Sequence, residues 1–208
     1  MKVLVISGNP KKSGALAELT AEAARGASEN GADVEEVRLA EKDLGYCRFC
    51  MKCHEDIDSP VSFCVQKDDL NGILEKVRDA DCYILACPAS GGHANAIMKT
   101  FIERTTWTLG RPTRNILWVK GCPESRIADR RRYAASITTA GVVPTWSRAF
   151  CNGSTREMCS HARGMFNAKI VGRLYAGSIL KRGVTGSDKV RAHVLGRRLV
   201  ETARQGSG

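Results

Sequence analysis

Short apolar runs alternate along the chain with stretches whose apolar residues recur at helical spacing. Lys2–Ser7 (KVLVIS) is rich in β-branched residues and predicts a buried strand. The Gly/Asn/Pro turn GNPKKSG follows, and then Leu16, Leu19, Ala23 and Ala27 fall on one helical face, with Gly31 as a stop. Asp33–Leu39 alternates like a second strand. Residues 40–66 form a long connection, after which Asp68 and Asp69 can cap a helix running through Asp79. Ala80–Pro88 predicts a third buried strand, Ser90–His93 a turn, and Ala94–Trp107 a helix with Ile97, Met98, Phe101 and Ile102 on one face. Asn115–Val119 reads as strand four, Ile127–Ala140 as an arginine-rich helix and Val142–Phe150 as strand five. Ser187–Arg204 is a final helix with an apolar stripe of Val190, Val194, Leu195, Leu199 and Val200.

This alternation predicts an α/β protein with a parallel sheet covered by helices on both faces. Five strands in 208 residues fit a flavodoxin-like, doubly wound sheet of order 2-1-3-4-5. The length predicts one domain over residues 1–208. Two segments stand outside the plan: a cysteine-rich insertion at 40–66, and a Gly- and Arg-rich insertion at 151–186 before the C-terminal helix.

In an open parallel sheet the ligand lies beyond the carboxyl ends of the strands, at the switch in strand order. That points to the loops after strands one, three and four. The first loop holds Ser7, Asn9, Lys11, Lys12, Ser13 and Gly14 and runs straight into a helix. Free N–H groups, the helix dipole and two lysines there favour a phosphate over a plain strand-to-helix turn. With glycines only at Gly8 and Gly14 it is neither a Walker loop nor G-x-G-x-x-G. The third-strand loop, Pro88, Ala89, Ser90, Gly91, Gly92 and His93, has small residues where a planar ring can approach the backbone.

Charge sharpens this picture. Residues 1–104 carry 13 Lys+Arg against 17 Asp+Glu, net −4, and residues 105–208 carry 19 against 5, net +14. A basic half rich in Arg attracts phosphates, carboxylates or an acidic partner. No helix-turn-helix, zinc-finger or RNA-binding aromatic signature accompanies the charge, so nucleic acid is not the expected partner. The longest apolar runs, Cys82–Pro88 and Ile116–Val119, fall far short of a membrane span, and the N-terminus lacks the layout of a signal peptide. The expectation is a cytoplasmic protein whose nine cysteines stay reduced.

SGNPKKSGALAEL, then CxxCxxC…CVQKDD, then ACPASGGHANAIMKTFIER, in that order, resemble the NADPH-dependent FMN reductase and iron–sulfur flavoprotein families over about residues 1–125. The resemblance implies a flavodoxin-like fold, a flavin-dependent oxidoreductase and a homo-oligomer, dimer or tetramer. It implies that the first loop holds the FMN phosphate and that Pro88–Asn95 lies along the isoalloxazine. Lys120–Ser125, with Gly121 and Cys122, would then close the other side of the ring. NAD(P)H or a ferredoxin-type donor would supply electrons to a small acceptor or a redox protein. Two positions depart from the family. Gly14-Ala15-Leu16 stands where the family usually reads Gly-Asn-Thr, which removes an amide and a hydroxyl from the phosphate site. Pro88-Ala89-Ser90 lacks the aromatic that usually follows the proline.

Cys47, Cys50, Cys53 and Cys64 follow the spacing C-x2-C-x2-C-x10-C. Three close thiols and one distant suit a 4Fe-4S cluster, and the iron–sulfur flavoproteins carry a similar motif in the same place. Zinc, a C-x2-C redox dithiol, and thiols that only pack a structural lid are the alternatives. His93 reads either as a donor to the flavin or substrate or as a surface histidine. Of Arg126, Arg130, Arg131 and Arg132, one or two at most can face a site. Cys82, Cys87, Met98 and Phe101 read as core, and Cys151 and Cys159 have no assigned role. The rivals to an FMN oxidoreductase are a flavoenzyme for one anionic metabolite, a non-catalytic redox carrier or sensor, and a fold relative that has lost flavin and binds metal or a partner through its thiols.

Overall fold

The computed structural model describes residues 1–206. Its central sheet is mostly parallel, and its inner strands are buried on both faces. Strand β1 (Lys2–Ser7) lies between β2 (Asp33–Arg38) and β3 (Cys82–Ser90); β7 (Arg132–Thr139) and β8 (Ala168–Ala176) continue beyond β3. The parallel path is therefore β2-β1-β3-β7-β8. The two-residue strand β4 (His93–Ala94) folds back antiparallel onto β3 and makes the sheet six-stranded, one more than expected.

Side chains alternate between two cores, as the two-residue period of a strand requires. Leu4, Ile6, Tyr83, Leu85 and Cys87 face one layer, with helices α3 (Leu70–Asp79), α4 (Ala96–Thr108) and α5 (Gly153–Met165). Val3, Val5, Cys82, Ile84 and Ala86 face the other, with α1 (Ala15–Glu29) and α7 (Gly186–Gln205). The helices α1 and α7 touch closely at Gly196, where an added Cβ would lie 1.8 Å from the Ala23 carbonyl oxygen. Thr185 and Asp188 close a reciprocal capping box at the start of α7.

The first half and the final helix follow the pattern read from the sequence, and the segment between them departs from it. Asn115–Val119 is not a strand of the sheet. It is the tip of an antiparallel hairpin, β5 (Gly110–Ile116) and β6 (Val119–Ser125), turning at Leu117 with φ 53°. Ile127–Ala140 is not a helix: β7 occupies 132–139, and every residue of it is buried. Its two alanines suit a helix, but Ile137, Thr138 and Thr139 are β-branched, and both faces are covered. The Arg132 guanidinium is buried too. It donates to the carbonyls of Ala80 (3.2 Å) and Arg78 (2.9 Å) and to Asp129 (3.0 Å). Val142–Phe150 is a loop with one 3-10 turn after Pro144. The fifth parallel strand lies inside the expected 151–186 insertion, which is the crossover α5, β8 and the short α6 (Ile179–Arg182).

Residues 42–69 are irregular apart from α2 (Lys52–Glu55). Two buried arginines tie this connection down. Arg104 of α4 pairs with Asp68 at 2.7 Å and donates to Cys64 Sγ at 3.3 Å. Arg126 donates to the carbonyls of Gly110, Ser59 and Cys53, each at 3.1 Å.

Candidate functional site

The carboxyl ends of β1 and β3 meet at one place. Ser7 and Asn9 are buried at the end of β1, while residues 10–14 are exposed. The Asn9 Oδ1 accepts from the Lys11 amide at 3.1 Å and turns the loop. Its Nδ2 is buried and has no hydrogen-bond partner among the described residues. Gly14 enters α1 with φ 97°, and no side chain caps that helix. An orphaned amide donor thus lies in the loop that leads to an uncapped helix N-terminus, an arrangement that favours a phosphate. Leu16 packs into the core, so its side chain is withdrawn from this site and only its backbone N–H remains to serve an anion. Ala15 is half-buried and offers nothing polar beyond its backbone. Lys12 is drawn toward Glu41 at 3.3 Å, and Arg38 donates to the Lys11 carbonyl at 2.9 Å. Lys11 and Ser13 project from the exposed rim.

At the end of β3, Gly91 and Gly92 take φ of 56° and 84°, the left-handed region that lets β3 reverse into β4. Pro88 and Ala89 are half-buried and Ser90 exposed, so the backbone of this loop is open to a flat ligand. Asn95 joins the two loops. Its Nδ2 donates to the Gly8 carbonyl at 2.7 Å, and its Oδ1 caps α4 by accepting from Met98 N at 3.1 Å. Asn95 is expected from the sequence inside a helix Ala94–Trp107 and, by resemblance, along the isoalloxazine; the helix instead starts at Ala96, which makes Asn95 its cap. His93 does not turn toward the first loop. Its Nδ1 lies 2.8 Å from Glu157 of α5, whose other oxygen holds Lys99 at 3.1 Å. Burial would raise the Glu157 carboxyl, but its bonds to His93 and Lys99 prevail and hold it below its ordinary value.

Gly121 and Cys122 lie on β6 of the hairpin, because Asn115–Val119 is not a sheet strand. The segment after the fourth parallel strand is Ala140–Thr145, where the end of a helix at Ala140 and the start of a strand at Val142 are expected from the sequence. Backbone bonds hold it against the end of β8: Ala140 N to Ala176 O at 2.9 Å and Ser178 N to Val143 O at 2.8 Å.

Cys47, Cys50, Cys53 and Cys64 all line one small pocket of about 30 Å³, with Arg104 and Trp107 at its wall. Burial pushes the Cys53 thiol up, and the other three cysteines add to that shift. The residue types suit a thiolate-bound group. No three His, Cys, Asp or Glu among the described residues stand as a ready-made metal site. Cys82 and Cys87 are core, as expected. Among the described residues no helix is long and apolar enough to cross a membrane.

The family model for NADPH-dependent FMN reductase matches residues 1–120. An iron-sulfur flavoprotein of Methanocaldococcus jannaschii is 35% identical over 105 residues, which cover 50% of this chain and 52% of that protein. One from Archaeoglobus fulgidus is 34% identical over 113 residues, 54% of this chain and 49% of that protein. The chain spans about half the length of the curated relatives it matches. Among solved structures, a flavone reductase superposes with TM-score 0.71 at 22% identity, covering 98% of this chain and 63% of that one. An NAD(P)H:quinone oxidoreductase from Methanothermobacter marburgensis superposes with TM-score 0.68 at 20% identity, covering 96% of both chains. These likenesses establish the α/β fold.

Proposed function

Because the chain belongs to the NADPH-dependent FMN reductase family, we propose that it is an FMN-dependent oxidoreductase taking electrons from NAD(P)H to a small acceptor. The observation that carries this reading is the orphaned Asn9 amide beside the uncapped start of α1. FMN, when bound, supplies the hydride and electron chemistry, so no side chain need form a bond to the substrate. Asn9, Ser7 and the N–H groups of Gly14, Ala15 and Leu16 would hold its phosphate. Lys11, Lys12 and Ser13 would screen that phosphate from the rim. Pro88–Gly92 would receive the ring along its backbone, and Ala140–Thr145 would close the far side, the role first assigned to Gly121 and Cys122. Asn95 keeps the first and third loops in register. The family resemblance motivates a homo-oligomer, dimer or tetramer, to be checked by light scattering.

The test is a spectrum of the purified protein, an FMN titration of the flavin-free form, and steady-state turnover of NADPH and NADH with a quinone. Asn9→Ala should weaken FMN about tenfold, the worth of a hydrogen bond to a charged group. A colourless protein that takes up no added FMN would sink this reading.

A second reading adds a 4Fe-4S cluster on Cys47, Cys50, Cys53 and Cys64. It is motivated by the pocket these four share and by the iron-sulfur names of the relatives. The thiolates would be the ligands, and the Arg104 N–H beside Cys64 would stabilise their negative charge. Iron and acid-labile sulfide assays on anaerobically purified protein decide it. Flavin without iron leaves a flavin reductase whose cysteines only pack the connection.

A further inference from the structure

Two cavities open side by side along α5 and the edge of β8. One, of about 610 Å³, reaches Trp146, Arg148 and Tyr175; the other, of about 600 Å³, reaches Arg156, Glu157 and Arg163. Both are lined by Asn152, Thr155 and Arg173, so they form one continuous groove. Among the described residues the strand β8 pairs with β7 alone, which leaves its outer edge to wall the groove. Its register slips between Ala134 and Ala135, where Ile170 and Gly172 are the successive partners and Val171 is passed over. Such a bulge twists an edge strand and re-aims its side chains.

The groove's charge is uncompensated. Arg148, Arg156, Arg163 and Arg173 are all exposed, and none makes a side-chain hydrogen bond or ion pair among the described residues. Arg104, Arg126 and Arg132 differ, since their guanidiniums are buried and spent on carbonyls and carboxylates. Glu157, an acid lining the groove, is already held by His93 and Lys99. The Tyr175 ring walls the end of the groove that holds Arg148, and its buried hydroxyl bonds the Ser147 hydroxyl, which in turn donates to the Pro144 carbonyl at 2.6 Å. At the same end Trp146 is 73% exposed and offers a bare aromatic face.

We infer that this groove binds an aromatic anion, a planar ring carrying a sulfonate, carboxylate or phosphate, as a substrate of the enzyme. Trp146 stacks on the ring, and Arg148 and Arg173 take the anionic group through their planar forks. Calling the ligand a substrate rests on the FMN reductase reading; the groove's preference for aromatic anions does not. The shared chemistry has two sources, an anionic acceptor or the phosphorylated adenosine end of NADPH.

The test begins with equilibrium binding to the purified protein. A naphthoquinone sulfonate and an unsubstituted naphthoquinone are each titrated by quenching of tryptophan fluorescence. The sulfonate should bind about tenfold more tightly, and the preference should vanish in the Arg148→Gln/Arg173→Gln double variant. It should persist in Arg197→Gln, which removes the same kind of charge from α7, where Arg197 lies near Glu201 at 3.6 Å. The preference should also fall as salt is raised. Equal binding of the two quinones, or a preference that survives the double variant, overturns the inference whether or not the protein holds FMN. Turnover then separates the sources. If the double variant loses selectivity for the sulfonate over the neutral quinone, the site serves the acceptor; if it loses selectivity for NADPH over NADH, the site serves the donor.

Discussion

Replacing Asn95 separates its two roles, as helix cap and as bridge between the loops after β1 and β3. Asn95→Ala removes both. The lost cap at Met98 N costs about 1 kcal/mol. The lost donor leaves the buried Gly8 carbonyl without its 2.7 Å partner, for about another 1–2 kcal/mol. A loss of about 2–3 kcal/mol corresponds to roughly 5–10 °C in melting temperature for a chain of this size. Asn95→Asp keeps an equally good cap and favours the helix dipole, but it has no N–H to give Gly8. It should therefore cost only the bridging share, about 1–2 kcal/mol. There is little room for the loops to settle elsewhere, since a Cβ on Gly8 would lie 3.0 Å from that of Met98. Both variants should bind FMN more weakly by about tenfold. Urea denaturation of the flavin-free protein measures the stability, and quenching of flavin fluorescence measures the affinity. An Asn95→Asp variant with the stability and FMN affinity of the parent would refute the bridge and leave Asn95 as a cap alone.

Other perturbations read different parts of the structure. Arg104→Met strands the buried Asp68 carboxylate and should cost about 3–5 kcal/mol in urea denaturation; adding Asp68→Asn should restore part of it. Burial would raise the Asp68 carboxyl, but the Arg104 bond prevails and lowers it. The stability it contributes is therefore present above the ordinary carboxylate range and is lost as pH falls through and below it, a loss that should shrink in Arg104→Met. Complete burial pushes His161 down to about 3. Its contribution is full above an unfolded value of about 6.5 and falls by about 1.4 kcal/mol per pH unit below it, so about 2 kcal/mol is lost by about pH 5. Urea midpoints at neutral and mildly acid pH should show this loss, and His161→Gln should flatten it. Gly196→Ala drives a methyl into the Ala23 carbonyl and should cost about 1–3 kcal/mol by thermal unfolding, whereas Gly164→Ala, with open space around it, should not destabilise.

The local pattern by itself determined the first half of this protein. The strands β1 and β3 announce themselves because β-branched and apolar residues run without interruption, as a strand buried on both faces requires. The loops proposed for the phosphate and the ring stand out in the sequence because small, turn-forming residues directly follow those strands. The identity of β7 was not legible. Its Arg132 and paired alanines suit a helix as well as a strand, and only the cover on both faces, with carbonyls waiting for the guanidinium, decides for a strand. The strand β8, AKIVGRLYA, reads as loop because Lys169, Gly172 and Arg173 interrupt it. It becomes a strand because β7 offers an edge to pair. Misplacing β7 shifted the fourth-strand loop, which is why Gly121 and Cys122 were expected where Ala140–Thr145 now stands. The arginines show the same division. Sequence counts them as one basic surplus; tertiary structure spends Arg104, Arg126 and Arg132 inside and leaves Arg148, Arg156, Arg163 and Arg173 lining a groove. A hydrogen-bonding partner or a covering helix comes from residues far away in the chain, and no local pattern carries that information.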